Sequence, residues 1–391
     1  MPDPIAFSTR AAHAGRGAPP RTVSRPLTPP IYQSTVYAFD RLEDLEALYA
    51  GAPGHIYYRQ GTPTHAALEA TVAALEGAEA AVAAASGMAI ATAAVLALAG
   101  AGDRIVADRY AYGGTYTLLA DELPRLGIKV TLVDGTDRAE VERALETDTR
   151  ALLVEALSNP TLRVADVPAL CALGRARGVP VLVDATFASP ALLRPVEHGA
   201  TLAWHSVAKY LGGHSAAMGG VAAGERGLVE AIRAKIIRLG ACQGVMDAWL
   251  TLLGLPTLPL RMAAHTRTAR AIAAYLATHP AVARVYYPGL PDHPQYEVAG
   301  RLYPDGCGGM LSFDLRGGEG AAHHFLARLQ LIAFAPSLAD VTTTVSYPFA
   351  TSHVGLPDDV LRVLGVGKGL IRLSAGIEEP ADVIADLERA L

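Results

Sequence analysis

Between residue 62 and about residue 209, short apolar runs alternate with stretches of helical period, and this alternation narrows the fold more than any other feature. The runs Ala78–Ala85, Arg104–Ala107, Lys129–Val133, Ala151–Glu155, Pro180–Asp184 and Leu202–His205 read as strands. Between them, Thr64–Glu76, Met88–Ala99, Thr115–Arg125, Arg138–Leu145 and Val167–Arg177 read as helices. Strands separated by helices of this length predict a mostly parallel sheet covered on both faces. The runs are apolar almost throughout, as a doubly covered sheet requires. With 391 residues, 51% of them hydrophobic, the chain can bury such a sheet and a second unit beside it.

The pattern changes at both ends. Residues 1–60 carry Pro19, Pro20, Pro26, Pro29 and Pro30, with one helical stretch at Leu42–Tyr49. That segment reads as an extended arm without a core, which must lie on another surface. Residues 61–250 form the α/β unit. Residues 251–391 read as a smaller α+β domain. Its helices are Leu260–Thr278, Gly320–Leu329 and Ala381–Leu391, and its strands Val282–Tyr286, Gly309–Leu315 and Ile371–Ser374.

Several partner classes lose support. The formal charge is −5 and no tract is rich in Lys or Arg, so nucleic acid is not expected. Met1–Arg10 lacks the charged-then-apolar order of a secretory leader. The most apolar region, Ala78–Ala101, is broken by Ser86, Gly87 and Gly100, so no membrane span is expected. Cys171, Cys242 and Cys307 have no metal-ligand spacing, and His323-His324 sits on a surface helix, so no metal site is expected. A cytoplasmic protein with reduced thiols follows. No Gly-x-Ser-x-Gly elbow is present, which argues against a serine hydrolase.

Ligands of open α/β sheets bind at the carboxyl ends of the strands. Ser86-Gly87-Met88 ends a strand and opens a helix, where free backbone N–H groups suit a phosphate; an ordinary strand–helix turn reads the same way. Asp184 ends a buried strand, where a carboxylate needs a partner: a protonated ring nitrogen, a helix cap or an ion pair. Lys209 follows a strand among apolar residues, with Gly212 and Gly213 close behind. A Schiff-base lysine fits that setting better than a solvated one does. Ser206, three residues earlier, can reach the same phosphate. Tyr112 precedes Gly113-Gly114-Thr115 and either stacks on a planar ligand or packs at the sheet edge.

Six ordered motifs then converge. They are Ser8–His13, Pro29–Thr35, Tyr57–Thr64, Tyr112–Thr115, Ser206–Ser215 and Arg372–Glu378. On these the chain resembles the Cys/Met-metabolism enzymes dependent on pyridoxal 5′-phosphate (PLP), a family that includes cystathionine γ-synthase, cystathionine γ-lyase, cystathionine β-lyase, methionine γ-lyase and the homoserine sulfhydrylases. The resemblance implies the PLP-dependent transferase fold type I, of the aspartate aminotransferase kind. It implies γ-elimination or γ-replacement on homoserine-derived sulfur amino acids. Lys209 is then the Schiff-base lysine and general base. Asp184 is the partner of the pyridine nitrogen, Tyr112 the stacking ring. Gly87, Met88, Thr186 and Ser206 are further cofactor ligands. Tyr57 and Arg59 are expected to reach the phosphate of a neighbouring subunit, which gives the arm its surface and implies a homodimer, usually paired into a tetramer. Asn159, Ser337 and Arg372 match the groups that hold a substrate α-carboxylate.

The chain departs from the family pattern in places. Ala208 stands where threonine usually precedes the lysine, and Ala185 and Ala216 replace an asparagine and an aspartate. Thr117 occupies the position where cystathionine-handling members carry arginine, which favours a substrate with an uncharged tail. Gly114 and Pro336 differ from the residues usual in methionine γ-lyases and in γ-lyases of cystathionine. Methionine γ-lyase and O-acylhomoserine sulfhydrylase are therefore alternatives. A same-fold aminotransferase, which would need an external 2-oxo acid, is a third. A scaffold without cofactor is a fourth, opposed by the joint presence of Lys209, Asp184, Tyr112, Arg59 and Arg372.

Overall fold

Seven strands build the larger sheet of the computed structural model, which describes residues 5–13, 26–146 and 148–391. These are β1 (Ala80–Ala84), β2 (Arg104–Asp108), β3 (Lys129–Val133), β4 (Thr149–Glu155), β5 (Val181–Asp184), β6 (Leu202–Ser206) and β7 (Gly220–Gly224). Their order is β1-β7-β6-β5-β4-β2-β3. The pairs from β3 through β6 are parallel, while β7 runs antiparallel to both of its neighbours. Both faces are buried. On β5, Val181 and Val183 enter one core cluster and Leu182 the other.

Local chemistry sets the covering helices. Pro63–Glu76 starts on the Thr62 cap with Pro63 in its first turn, and Gly77 closes it in the left-handed conformation at φ 68°. Leu68, Val72 and Leu75 are its buried face. Gly87–Leu98 is capped by Ser86, whose Oγ accepts from the Ala89 N–H at 3.0 Å.

The smaller sheet comprises β8 (Val282–Tyr286), β9 (Met310–Leu315), β10 (Ala333–Phe334), β11 (Thr344–Ser346) and β12 (Leu370–Ser374), ordered β10-β11-β12-β9-β8. The helix Leu258–Thr278 packs against β8 and β9, and Pro380–Ala390 packs on that helix. Arg372 sits in the middle of β12, opposite Ser346 on one side and Ser312 on the other.

The sequence pattern did not reveal β7, nor the helices Arg226–Leu239, Val245–Gly254, Tyr296–Leu302 and Asp358–Leu364. β7 reads Gly-Val-Ala-Ala-Gly, a composition with little strand preference. Close packing explains it. A Cβ at Gly220 would lie 2.3 Å from the Ser86 carbonyl oxygen, and one at Gly224 would lie 2.2 Å from that of Thr201. Gly220→Ala is therefore expected to lower stability by about 1–3 kcal/mol, read as a drop in the thermal midpoint; an unchanged midpoint would show that the β1–helix turn yields freely. The expected helix Thr115–Arg125 begins at Gly113, widens over Leu118–Glu122 and ends in the short turn Leu123–Arg125. Pro124, which has no N–H to donate, lies in that last turn.

The arm divides. Pro19 and Pro20 lie outside the described residues. The helix Phe7–Ala12 docks on its own chain: Ala11 is fully buried, and Arg10 donates to the Ala74 carbonyl at 2.9 Å. From residue 26 to 60 the segment is tethered near both of its ends. Trp249 Nε1 donates to the Pro29 carbonyl at 2.9 Å, and the Tyr58 hydroxyl donates to that of Gln243 at 3.3 Å. Between the tethers, the helix Leu42–Tyr49 buries no residue, and Val36, Leu42 and Tyr49 stand largely exposed.

Candidate active site

The carboxyl ends of β4, β5 and β6 open into a cavity of about 690 Å³, bordered on the far side by Arg372 of β12 and by loop residues including Pro336, Leu338 and Ser352. Gly87, Met88, Tyr112, Asn159, Asp184, Thr186, Ser206, Lys209 and Arg372 all line it. Nine expected site residues, distant in sequence, thus share one wall.

One end of the cavity suits a phosphate. The helix Gly87–Leu98 points its first N–H groups there, because the Ser86 side chain satisfies Ala89 instead of Gly87 or Met88. Ser206 faces that end from β6. A Cβ at Gly87 would lie 3.1 Å from the Ser206 Cβ, so the glycine lets the start of the helix pack closely against Ser206 at this end. Thr186 ties this end to the middle of the site. Its Oγ1 accepts from the Ser206 N–H at 3.0 Å, and its own N–H donates to Asp184 Oδ1 at 2.9 Å.

Asp184 lies in the cavity wall. Burial raises its carboxyl pKa, opposed by the Thr186 hydroxyl and N–H and the Trp204 indole. Lys209 projects from the turn Val207–Leu211, at a backbone kink with φ −108° and ψ −138°. Burial, and then the charge of Arg372, lower the pKa of its ammonium. Arg372 is only 4% exposed. Its guanidinium donates to Asn159 Oδ1 at 2.9 Å and to the Ser337 carbonyl at 3.2 Å. Burial depresses its pKa to about 10. Ser337 thus meets Arg372 through its backbone.

Tyr57 and Arg59 stand outside this cavity. Tyr57 is 41% exposed, and Arg59 donates to the Ile237 carbonyl at 3.0 Å. Of the three alanine departures only Ala208 faces the cavity. Ala185 is buried in the core and Ala216 is exposed at the surface. Thr117 is also exposed, its hydroxyl turned back to the Gly113 carbonyl at 3.1 Å.

Glu155, Trp204 and Ser352 are wall residues that sequence reasoning missed. Glu155 had a signal: like Asp184, it is a carboxylate ending an apolar strand. Ser352 had none, because only the approach of the smaller domain brings it to the site. A Cβ at Gly113 would lie 2.4 Å from the Ser352 carbonyl oxygen, which shows how closely that loop presses on the Tyr112 turn.

An anion cradle, a buried aspartate and a lysine of lowered pKa around one cavity define a fold type I PLP-dependent enzyme, and its cofactor is pyridoxal 5′-phosphate. The chain belongs to the Cys/Met metabolism PLP-dependent enzyme family, whose pattern matches residues 8–391. It is 41% identical over 385 residues to cystathionine gamma-synthase of Mycobacterium tuberculosis, covering 98% of this chain and 96% of that protein. It is 37% identical over 388 residues to L-methionine gamma-lyase of Pseudomonas putida, covering 98% and 97%. A putative O-acetylhomoserine (thiol)-lyase from Campylobacter jejuni, solved with a pyridoxyl-lysine monophosphate, superposes with a TM-score of 0.93 at 30% identity over 99% of each chain. Among the described residues, no helix is long and apolar enough to cross a membrane.

Proposed function

We propose that this enzyme carries out γ-replacement or γ-elimination on homoserine-derived amino acids, and that Lys209 is its cofactor-anchoring amine and its base. The observation that carries the reading is the placement of Lys209, Asp184 and Arg372 around one cavity. The Gly87 and Met88 N–H groups and the Ser206 hydroxyl would hold the cofactor phosphate. Asp184 would hold the protonated pyridine nitrogen, and Tyr112 would cover the ring. Thr186 fixes Asp184 and Ser206 relative to each other. When bound, the cofactor supplies a sink for the electrons released at the substrate's α-carbon.

The chain's own groups do the rest. Arg372 offers a planar fork to the α-carboxylate, already oriented by Asn159 and Ser337. Burial, and then Arg372, lower the Lys209 pKa, which favours the neutral amine that takes the α-proton. The same amine can return that proton further along the substrate, as loss of a γ-substituent requires. Tyr57 and Arg59 complete the phosphate site of a second subunit in a cytoplasmic homodimer, itself paired into a tetramer. The exposed segment Val36–Tyr57 supports this reading, since apolar residues on an unburied helix need a cover.

A second feature bears on the substrate. Among the described residues, Lys209 and Arg372 are the only cationic side chains in this chain's wall of the cavity, and Thr117 is exposed at the surface. An uncharged acyl tail is thus favoured over a carboxylate tail. In a panel of cystathionine, methionine, cysteine, O-acetylhomoserine and O-succinylhomoserine, read for 2-oxobutyrate, pyruvate, ammonia and cystathionine, O-acetylhomoserine should outrun O-succinylhomoserine in kcat/KM by about tenfold. The reverse order would overturn the tail preference. Ammonia release without an added 2-oxo acid would exclude an aminotransferase; its absence, with transamination instead, would overturn the main reading.

A further inference from the structure

We infer that Glu155 is a positioning residue of this site: an uncharged carboxylic acid that carries the proton of a carboxyl pair made with Asp184 and ties that pair to the Tyr112 backbone. The consequence for the cofactor rests on the reading of Asp184 given above, whereas the location of the proton does not.

Glu155 ends β4 and Asp184 ends β5, and the two are in register across the parallel pair. Neighbouring strands lie about 4.8 Å apart, and paired residues project to the same face. Both side chains line the cavity, and Glu155 is 4% exposed. Two ionised carboxylates side by side at this depth repel each other, and the ionisation of one favours the protonated form of the other.

The surrounding donors decide which. Asp184 accepts from the Thr186 N–H at 2.9 Å, and the Thr186 hydroxyl and the Trp204 indole also favour its ionised form. Glu155 accepts from the Tyr112 N–H, with the Asn159 N–H as a weaker second donor, and it faces a further acid, Asp108. Arg372 is committed to Asn159 and Ser337, and no ion pair among the described residues includes Glu155. Burial, and then Asp184, push the Glu155 carboxyl well above its ordinary range. Asp108, also buried, is raised to about 6 and is ionised above that pH.

A neutral Glu155 does two things at once. One oxygen accepts the Tyr112 N–H and so sets the turn that carries the tyrosine ring. Its charge is absent, so Asp184 stays ionised despite its burial.

Infrared spectroscopy of the holoenzyme in heavy water near pH 8, above the value for Asp108 of about 6, tests this. The carbonyl stretch of a protonated carboxylic acid should be present in the wild type. It should disappear in Glu155→Gln and persist in Asp108→Asn and in Glu76→Gln, the control for the other buried glutamate. Glu155→Gln keeps both the acceptor and the neutral charge, so its cofactor dissociation constant should stay within about threefold of wild type. Glu155→Ala leaves the Tyr112 N–H unpaired and should weaken cofactor binding by about tenfold. No such band in the wild type, or one that survives in Glu155→Gln, overturns the inference. If Glu155→Gln does not fold, isotopic labelling of the wild type decides: the band shifts with carboxyl-labelled glutamate if the proton is on Glu155, and with labelled aspartate if the inference is wrong. Cofactor binding unchanged in Asp184→Asn would instead overturn the role given to Asp184 and leave the proton assignment standing.

Discussion

Lys209→Ala is expected to cut turnover on any γ-substituted substrate by on the order of 10⁴-fold while leaving the fold intact. The side chain projects into a cavity, so its removal exposes no core. It also has no hydrogen-bond partner among the described residues whose loss would destabilise the surrounding turn. On the proposed assignment, what disappears is the base beside the α-carbon and the amine that anchors the cofactor. Borohydride treatment separates these from a general loss of structure. In the wild type, reduction should fix the cofactor to the peptide containing Lys209. In Lys209→Ala, the cofactor should dialyse away after the same treatment. Full turnover in the variant, or reductive labelling of a different lysine in the wild type, would refute the assignment.

Arg372→Ala should lower kcat/KM by roughly 30- to 5,000-fold, the range that about 2–5 kcal/mol for truncating a buried, hydrogen-bonded charge corresponds to. Two losses combine. The substrate carboxylate loses its fork, and Asn159 Oδ1, in contact with Arg372 at 2.9 Å, loses its donor inside the protein. Arg372→Lys should recover only part of the rate, because an ammonium offers a point charge in place of a planar pair of donors. The pH profile carries a second signature. Arg372 is one of the two causes that lower the Lys209 pKa, so removing its charge lets that pKa rise. The neutral amine is present only above its pKa, so the acid limb of kcat should move to higher pH in Arg372→Ala and stay in place in Arg372→Lys. An unmoved limb in Arg372→Ala would mean that burial alone sets the Lys209 pKa.

The division between what was readable and what was not follows the range of the interactions. The strand–helix alternation is local, and it placed β2 to β6 to within a few residues. β7 was hidden because its residues are chosen for close approach to Ser86 and Thr201 and not for strand preference. Glu155 went unremarked although Asp184, a residue of the same kind at the same level of the sheet, was singled out. Its meaning comes from the register of β4 on β5, which no single strand contains. The three alanine departures looked equivalent in one dimension. Only the fold separates Ala208, which borders the site, from Ala185 in the core and Ala216 on the surface.

The sequence by itself determined the family and the cofactor, because each is marked by short motifs whose chemistry depends on neighbouring residues: a capped helix start, a carboxylate at a strand end, a lysine among glycines. The tertiary structure decided which groups act together. It set Arg372 against Asn159, more than 200 positions away, at 2.9 Å, brought Ser352 over Gly113 and put Glu155 beside Asp184. Electrostatic coupling depends on distance and burial, and neither is written along the chain until the two sheets have closed around the cavity.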